Sequence, residues 1–274
     1  MSTGILRRDT ASTFEKGLAV LSVFDGSHAR LTLAQVADLT GFDRAVARRL
    51  VLTLRECGYL EQEGRDFFLT PRVVVLAGQF FESQQLHIGV QQLVCRCAEE
   101  LGCAVAIGMR NREDVILITR SVPKDMPPDA MPLFGTRLPV LHTALGRMLL
   151  AQESTETAEA LVQSAPMKGW TDDSMLTRDE IRDAVARARE ANCAVVRSEF
   201  DHHHVICAVP LTLPSSMPAA ICSLKHISEA QARQVAAGSG PEDVCAGQPE
   251  IIDTLTRYAS LIETALQTSP EFRN

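Results

Sequence analysis

The sequence of 274 residues is poor in aromatic side chains and contains no long hydrophobic run. Aromatic residues make up 5% of the chain, with one tryptophan and two tyrosines. Mean hydropathy is +0.03, and without a run of membrane-spanning length no spanning helix is expected. The first residues, MSTGILRRDTAST, lack the apolar segment of a secretory signal. We therefore expect a cytoplasmic protein without membrane contacts, in which residues 1–10 form a flexible arm.

The sequence also lacks the short motifs of several enzyme classes. It has no GxSxG elbow, no P-loop and no dinucleotide-binding fingerprint. Its eight cysteines are scattered, and in a chain without an export signal we expect them to be reduced thiols that act as small core residues. We expect no cofactor, and we expect that the protein is not an enzyme.

The net charge of −7 is divided unevenly along the chain. The first 80 residues carry 10 basic and 9 acidic side chains, whereas the remainder carries 17 and 25. With 46% hydrophobic residues, the chain is long enough for two domains that each bury a core. The acidic balance therefore belongs to the second part, and any basic surface in the first part is local.

Residues 32–60 predict two short helices that flank a glycine. Thr32 and Gln35 form a capping box at the start of the first helix. Gly41 suits the left-handed end of that helix, and Asp43 caps the second helix. Two helices that cross closely at the small residue Ala37 indicate a helix-turn-helix.

The second of these helices carries four arginines and no acidic residue between them. An arginine face can simply be solvated, but the start of such a helix typically enters the major groove of DNA. The opposite side is predicted to be buried through Val46, Leu50, Leu54 and Cys57. We predict the DNA-binding residues Gln35, Asp43, Arg44, Ala45, Arg48, Arg49, Arg55 and Arg65.

Flanking segments complete a winged helix-turn-helix over residues 11–71. A hairpin is predicted at residues 59–69 with Arg65 at its tip. A preceding helix begins with a capping box of Ser12 and Glu15, and its apolar side is predicted to be Phe14, Leu18, Leu21 and Phe24. Residues 72–87 form a linker helix whose apolar surface one small domain cannot cover. We therefore expect a homodimer, or a dimer of two dimers.

Residues 88–270 alternate strands with helices and form the second predicted domain. Antiparallel hairpins with helices outside them indicate an α+β sandwich. Strands are predicted at 103–109, 115–121, 134–139, 193–199, 205–213 and 219–226, and helices at about 143–151, 153–163, 177–191 and 250–267.

These features together resemble the IclR family of transcriptional regulators. The matching segments are FEKGL at 14–18, LAQVADLTGF, RRLVLTL and GYL in the first domain, GTRLPVLHTALGRMLLA at 135–151 and AVP at 208–210. The resemblance implies an N-terminal winged helix-turn-helix joined by a linker helix to a GAF-like α/β sandwich that binds an effector. It implies two partners, double-stranded operator DNA and a small organic acid. The spelling DRAVARRLVLTL is similar to the branch that controls β-ketoadipate and hydroxybenzoate catabolism, which implies an aromatic or dicarboxylic acid.

In this family the effector lies between the GTRLP-to-helix junction and two late strands. A helix N-terminus suits a carboxylate, and Arg120, Arg137 or His142 would add positive charge. For His142, a capping or core role is the alternative. The resemblance implies the effector-binding residues Arg120, Arg137, Leu138, His142, Thr143, Ala144, Leu145, Gly146, His203, His204, Ile206, Cys222 and Leu224.

The run Asp201-His202-His203-His204 departs from the pattern of many relatives. Imidazoles bind metals and titrate near neutral pH, so a metal site or a pH-sensitive anion site is possible here. Successive residues on a strand alternate in direction, so at most His202 and His204 point together, and we predict no metal. Cys207 nearby leaves a cysteine-histidine hydrolase as the alternative function. A binding module that has lost its DNA affinity is the third possibility.

Overall fold

The computed structural model describes residues 10–86, 88–200, 204–214, 217–226 and 249–268. The chain divides into two compact units, with the boundary between Phe81 and Glu82. Each unit contains its own cluster of buried apolar side chains. The predicted flexible arm falls almost entirely on residues 1–9, which lie outside the described residues.

The first unit is the predicted winged helix-turn-helix. Its helices are α1 (Ser12–Leu21), α2 (Leu33–Thr40) and α3 (Arg44–Glu56). Strand β3 (Asp66–Leu69) lies between β1 (Leu31–Thr32) and β2 (Leu60–Glu63), and both neighbours are antiparallel to it. Gly64 opens the two-residue turn of the hairpin at a φ of 61°, a conformation that glycine adopts at little cost.

Local signals in the sequence explain why α2 and α3 begin and end where they do. Both halves of the predicted capping box are present, because Oγ1 of Thr32 accepts from the backbone N–H of Gln35 and Oε1 of Gln35 accepts from that of Thr32. Gly41 ends α2 in the left-handed region at a φ of 68°. The core behind these helices includes Val36 and Leu50.

The predicted cap of α1 is wrong, and its predicted apolar side is right only in part, since Phe24 is buried and Leu21 packs against the domain core. Ser12 is already helical and the cap position is Ala11, so no side chain caps the helix. Phe14 and Leu18 are 67% and 48% exposed, because α1 turns the side that carries Val20 toward the core. The predicted burial of Cys57 at the end of α3 is wrong as well, since Cys57 is exposed.

The linker region contains two helices, α4 (Arg72–Ser83) and α5 (Ile88–Leu101). Helix α4 ends before the predicted residue 87, because Gln85 takes a left-handed φ of 54° that a helix cannot continue through. Within residues 72–83 no side chain is buried, and Val74, Val75 and Leu76 are each more than half exposed.

The second unit is built on an antiparallel sheet in the order β6-β5-β4-β9-β8-β7. The predicted strand at 134–139 is shorter than expected, because Gly135 takes a positive φ of 79° just before it begins. The strands are β4 (Ala104–Asn111), β5 (Asp114–Ser121), β6 (Arg137–Pro139), β7 (Ala194–Arg197), β8 (His204–Thr212) and β9 (Pro218–His226).

Helices cover both faces of this sheet. Helices α6 (Ala144–Gln152), α7 (Thr155–Ser164) and α8 (Arg178–Ala191) share one buried cluster with Ala106, Ala208 and Cys222 of the strands. Alternate strand residues such as Val105 and Cys207 point to the other face, where α5 and α9 (Pro249–Thr268) pack. The α+β sandwich is therefore confirmed, and α6 is the helix that rests on the sheet centre.

Most of the described cysteines are free thiols, as expected. Cys97, Cys103, Cys207 and Cys222 are buried, and Cys57 and Cys95 are at least partly accessible. Cys193 is disulfide-bonded, which corrects the expectation of eight reduced thiols. Burial alone does not prevent a thiol from pairing where a second cysteine has the required geometry.

Candidate DNA-recognition helix and effector site

The start of α3 is fixed by one carboxylate. Oδ1 of Asp43 accepts hydrogen bonds from the backbone N–H groups of Ala45 at 3.0 Å and Val46 at 2.9 Å. Such a cap satisfies N–H groups that have no partner within the helix. Asp43 thus sets the register in which the following arginines leave the helix.

Four of the predicted DNA-binding residues lie on the solvent-facing side of α3. Arg44, Ala45, Arg48 and Arg49 are all exposed, while the opposite side of the helix is buried in the domain core. A guanidinium can donate two parallel hydrogen bonds to guanine or to a phosphate. The first turns of α3 therefore present cations and one small residue to a partner outside the domain.

The remaining predicted residues of this domain lie around α3. Nη1 of Arg55 donates to Oε1 of Gln62 at 2.9 Å, which ties the end of α3 to β2. Gln35 is exposed, and its amide oxygen serves the capping box of α2. Arg65 is exposed at the turn between β2 and β3, the hairpin that forms the wing.

Arg30 is a wing cation that the sequence analysis did not predict. Its Nη1 lies 2.5 Å from Oε2 of Glu63, and its guanidinium carbon lies 4.5 Å from the centre of the Phe68 ring. The pairing of β1 with β3 brings Arg30 to the wing. A strand of two residues is too short to be recognised from sequence alternation, so no signal in the chain marked this position.

In the second unit, the start of α6 is capped and tightly packed. Oγ1 of Thr143 accepts from the backbone N–H of Gly146 at 3.1 Å and donates to the carbonyl oxygen of Pro139 at 2.9 Å. A Cβ at position 146 would lie 2.0 Å from the carbonyl oxygen of Val140, so this approach requires glycine. The sequence thus brings Thr143, Ala144, Leu145 and Gly146 together at a buried helix N-terminus, as predicted.

His142 stands directly before this helix and is completely buried. Neither of its ring nitrogens has a hydrogen-bond partner among the residues that the structure describes. Oε2 of Glu199 lies 3.8 Å from Nδ1, which is beyond hydrogen-bonding distance. A buried imidazole without a hydrogen bond is costly, and whether His142 binds the effector or fills the core stays a prediction.

A buried ion pair lies beside His142. Arg147 of α6 donates from Nη1 to Oε1 of Glu199 at 2.7 Å and from Nη2 to Oε2 at 2.5 Å. Its Nε also donates to the carbonyl oxygen of Leu141 at 3.0 Å. Burial opposes ionisation of Glu199, but the neighbouring His142 and Arg147 outweigh it and lower the pKa of Glu199 below its ordinary value.

Neither member of this ion pair was predicted from the sequence. Arg147 interrupts the apolar run of α6, where a fully buried charge needs a partner, and that interruption was the available signal. Glu199 lies 52 positions later, just after β7, so only the fold identifies it as the partner.

The loop between α7 and α8 packs over the segment that carries Glu199. Oγ of Ser174 donates to the backbone oxygen of Glu199 at 2.6 Å, and the backbone N–H of Met175 approaches Oε2 of Glu199 at 3.4 Å. The ring of Trp170 lies 5.0 Å from that of Phe200, measured between centroids. The loop thereby packs against Glu199 and its neighbour Phe200.

The predicted strand residues line the sheet face below α6. Leu138, Ile206, Cys222 and Leu224 belong to the same buried cluster as Leu145. Burial raises the pKa of Cys222 to about 12, so this thiol is uncharged at neutral pH. These strand side chains therefore present an apolar face toward α6.

Two predicted cations are placed elsewhere. The guanidinium of Arg120 donates to the backbone oxygens of Pro128, Met131 and Pro132. It thereby anchors the proline-rich loop between β5 and β6. Arg137 is exposed on the edge strand β6. The structure therefore does not bring these two arginines into the buried polar group of His142 and Arg147.

The histidine run is described only at its last residue. His204 pairs with His226 across β8 and β9, and their rings lie 5.3 Å apart. Asp201, His202 and His203, including the predicted effector residue His203, lie outside the described residues. Within the described ranges, no three His, Cys, Asp or Glu residues are grouped so that they could hold a metal.

Cys207, the candidate nucleophile of the hydrolase alternative, is unsuited to that role. It is fully buried on β8. Burial raises the pKa of its thiol to about 12, whereas a reactive cysteine requires a thiolate near neutral pH.

Comparison with known proteins identifies the family. A model of the IclR helix-turn-helix domain matches residues 13–64, and a model of the C-terminal domain of bacterial IclR transcriptional regulators matches residues 79–231. The chain belongs to the IclR family. It is a transcriptional regulator with a DNA-binding domain and an effector-binding domain, and IclR proteins of this kind are not enzymes.

The curated relatives of the chain include a Pca regulon regulator and a p-hydroxybenzoate hydroxylase activator. The chain is 28% identical over 203 residues to the Pca regulon regulatory protein of Pseudomonas putida. The aligned segment covers 74% of this chain and 70% of that protein. The chain is 26% identical to the p-hydroxybenzoate hydroxylase transcriptional activator of Acinetobacter baylyi, over 77% of this chain and 79% of that protein. The resemblance to this branch of the IclR family is thereby confirmed.

Solved structures share the IclR fold along nearly the whole chain. A transcriptional regulator from Rhodococcus sp. RHA1 has a TM-score of 0.69 at 28% identity, covering 94% of this chain and 99% of its own. An IclR homologue from Microbacterium hydrocarbonoxydans, solved in complex with 4-hydroxybenzoate, has a TM-score of 0.68 at 17% identity, with 94% and 100% covered. Among the described residues, no helix is long and apolar enough to cross a membrane.

Proposed function

We propose that this regulator binds operator DNA through α3 and that a small organic acid bound in the second domain controls this binding. The exposed side of α3 carries the DNA half of the proposal, because Arg44, Arg48 and Arg49 face solvent in a domain that is otherwise nearly neutral. The local field, more than net charge, draws a protein to DNA. Arg55 and Arg65 lie where phosphate contacts are expected, while Gln35 and Asp43 hold α2 and α3 in place.

Selection of operator sequences from random DNA with the full chain, followed by fluorescence anisotropy, tests the DNA contact. Arg48→Ala removes a candidate base contact and is expected to weaken binding by about 1–3 kcal/mol, or about 5- to 150-fold. Arg72→Ala removes the same charge from α4, where Arg72 stacks on Tyr59, and is the matched control. Equal losses for the two variants, or failure to enrich any sequence, would contradict recognition by α3.

The acid is proposed to bind at the start of α6. The backbone N–H groups of a helix N-terminus attract carboxylates. Buried His142, whose ring nitrogens make no hydrogen bond among the described residues, is the observation that supports this assignment. Leu145, Ile206 and Leu224 offer an apolar surface to the body of the acid. The named relatives and the bound 4-hydroxybenzoate of the Microbacterium homologue favour an aromatic or dicarboxylic acid.

A thermal-shift screen of aromatic and dicarboxylic acids tests the effector site. A ligand that binds the folded protein raises its melting temperature by mass action. His142→Leu keeps the bulk of the ring, removes both nitrogens and is expected to abolish the shift. His28→Leu, on an exposed histidine of the first unit, is the control. A full shift in the His142 variant would refute the assignment.

A homodimer is the proposed assembly, with a dimer of two dimers as the larger alternative. Val74, Val75 and Leu76 of α4 and Phe14 and Leu18 of α1 are exposed apolar residues that a second copy would cover. Two copies would place two winged domains on paired half-sites. We further propose the domain limits 11–71, 72–87 and 88–270 and a cytoplasmic location, where the DNA is.

Control of DNA binding requires that the acid and the operator each favour one state of the same two-state equilibrium. If they favour the same state, the acid strengthens DNA binding, and if they favour different states, it weakens DNA binding. Their effects on each other's affinity are then equal in size, as thermodynamic linkage demands. Measuring operator affinity with and without acid, and acid affinity with and without operator, tests this reciprocity. Unequal coupling would exclude a shared two-state equilibrium.

A further inference from the structure

Beside α6, the formal charges of Arg147 and Glu199 cancel within one buried ion pair. Arg147 and Glu199 are 2% and 5% exposed, and His142 is 0% exposed. Each guanidinium nitrogen of Arg147 has an acceptor, since Glu199 receives hydrogen bonds from Nη1 and Nη2 and Leu141 receives one from Nε. Among the residues that the structure describes, Arg147 is the only buried lysine or arginine.

We infer that Glu199 narrows the aromatic or dicarboxylic acids proposed above to acids with a single carboxylate. This inference rests on the proposed function, because it takes the acid's carboxylate to lie at His142 and the start of α6. A second carboxylate enclosed in the same site needs its own cation, and Glu199 already occupies the buried one. A buried charge without a partner carries a large desolvation penalty.

Among the described residues of the surrounding elements, no lysine or arginine other than Arg147 is buried, so none of them supplies a second cation inside the site. On the sheet face below α6, Ile206 and Leu224 are apolar, and burial raises the pKa of Cys222 to about 12. His204 and His226 share that face by strand alternation. They lie at the ends of β8 and β9, where His226 is exposed and His204 half-buried. They therefore lie at the solvent-accessible ends of these two strands.

Two pairs of acids isolate charge from shape. Terephthalate has two carboxylates, whereas 4-carbamoylbenzoate has the same shape with one carboxylate replaced by a neutral amide. Adipate and adipic acid monoamide repeat the comparison without an aromatic ring. Isothermal titration calorimetry on the full chain at neutral pH is expected to give at least tenfold tighter binding of the monoacid in at least one pair.

Substitution of Glu199 tests the cause of this preference. Glu199→Gln keeps the size of the side chain and leaves Arg147 without a counter-charge, so the preference for the monoacid is expected to fall at least tenfold or to reverse. Glu159→Gln makes the same change in the partly exposed pair with Arg182 and is expected to keep the wild-type preference. The double variant Arg147→Met, Glu199→Leu removes both charges of the pair and is also expected to keep the wild-type preference for the monoacid.

The outcomes separate this inference from the acid effector itself. Equal binding of diacid and monoacid by the wild type overturns the inference and leaves an acid effector standing. An unchanged preference in Glu199→Gln, shown by circular dichroism to be folded, also overturns it. If that variant does not fold, the wild-type ratio and the double variant decide. Failure of all four acids to bind overturns the inference and counts against the proposed function as well.

Discussion

Gly146→Ala is expected to damage the second domain and the proposed effector site together. The added Cβ would lie 2.0 Å from the carbonyl oxygen of Val140 and 2.6 Å from its carbonyl carbon. Both are backbone atoms, so no side chain can rotate away to relieve the overlap. Helix α6 must shift, and the hydrogen bond from the N–H of residue 146 to Thr143 is weakened.

The size of the effect follows from two contributions. Overpacking in a well-packed core typically costs about 1–3 kcal/mol, and loss of an N-cap costs about 1 kcal/mol. A total of about 3 kcal/mol lowers the melting temperature of a domain of this size by about 6–12 °C. The shift of α6 also moves its N-terminal N–H groups, so acid affinity is expected to fall.

Differential scanning calorimetry measures this loss, since the two units can unfold as separate transitions. Gly89→Ala is the matched control, because it makes the same change in helix α5 of the same unit and its Cβ meets nothing within 4 Å. That variant is expected to melt at or slightly above the wild-type temperature. If the two variants melt alike, the close approach at Val140 does not constrain α6.

Three further results are expected. Asp43→Ala removes the acceptor of two backbone N–H groups and should cost about 1 kcal/mol of stability in the first domain, seen in urea unfolding, and should weaken operator binding; unchanged binding would show that the cap does not position α3. Val75→Asp puts a charge on a side chain that is 58% exposed and should shift dimer to monomer in analytical ultracentrifugation without lowering monomer stability, whereas an unaltered sedimentation profile would place the interface elsewhere. Glu199 has a lowered pKa in the folded state, so its stabilising effect is present above its ordinary pKa of 4.5 and is lost as pH falls through the lowered value. The wild type should therefore lose more stability than Glu199→Gln on acidification. Parallel losses of stability in the two proteins would contradict this.

Local chemistry made the first domain predictable. The capping box of Thr32 and Gln35, the left-handed Gly41 and the cap at Asp43 each involve residues within four positions of one another, so the sequence alone identifies them. The predicted bounds of elements in the second domain were also close to the observed ones. Helix α8 was predicted at 177–191, and it runs over Arg178–Ala191 with Thr177 as its cap.

Features that depend on distant contacts could not be predicted. The carboxylate that neutralises Arg147 is 52 residues away, and no short-range pattern selects it from the other acids of the chain. Arg120 was expected near the effector, yet the carbonyl oxygens of the proline-rich loop bind it. Which side of α1 is buried depends likewise on the packing of α3 against it, which left Phe14 exposed.

The sole tryptophan of the chain, Trp170, packs on Phe200 immediately after Glu199. Because no second indole contributes, the intrinsic fluorescence of the whole protein above the tyrosine band comes from this one loop. A change at the Arg147–Glu199 pair therefore has an optical signal built into the native sequence. Stopped-flow fluorescence can follow acid entry in real time with unlabelled protein, and the same signal read with operator present would time the communication between the two domains.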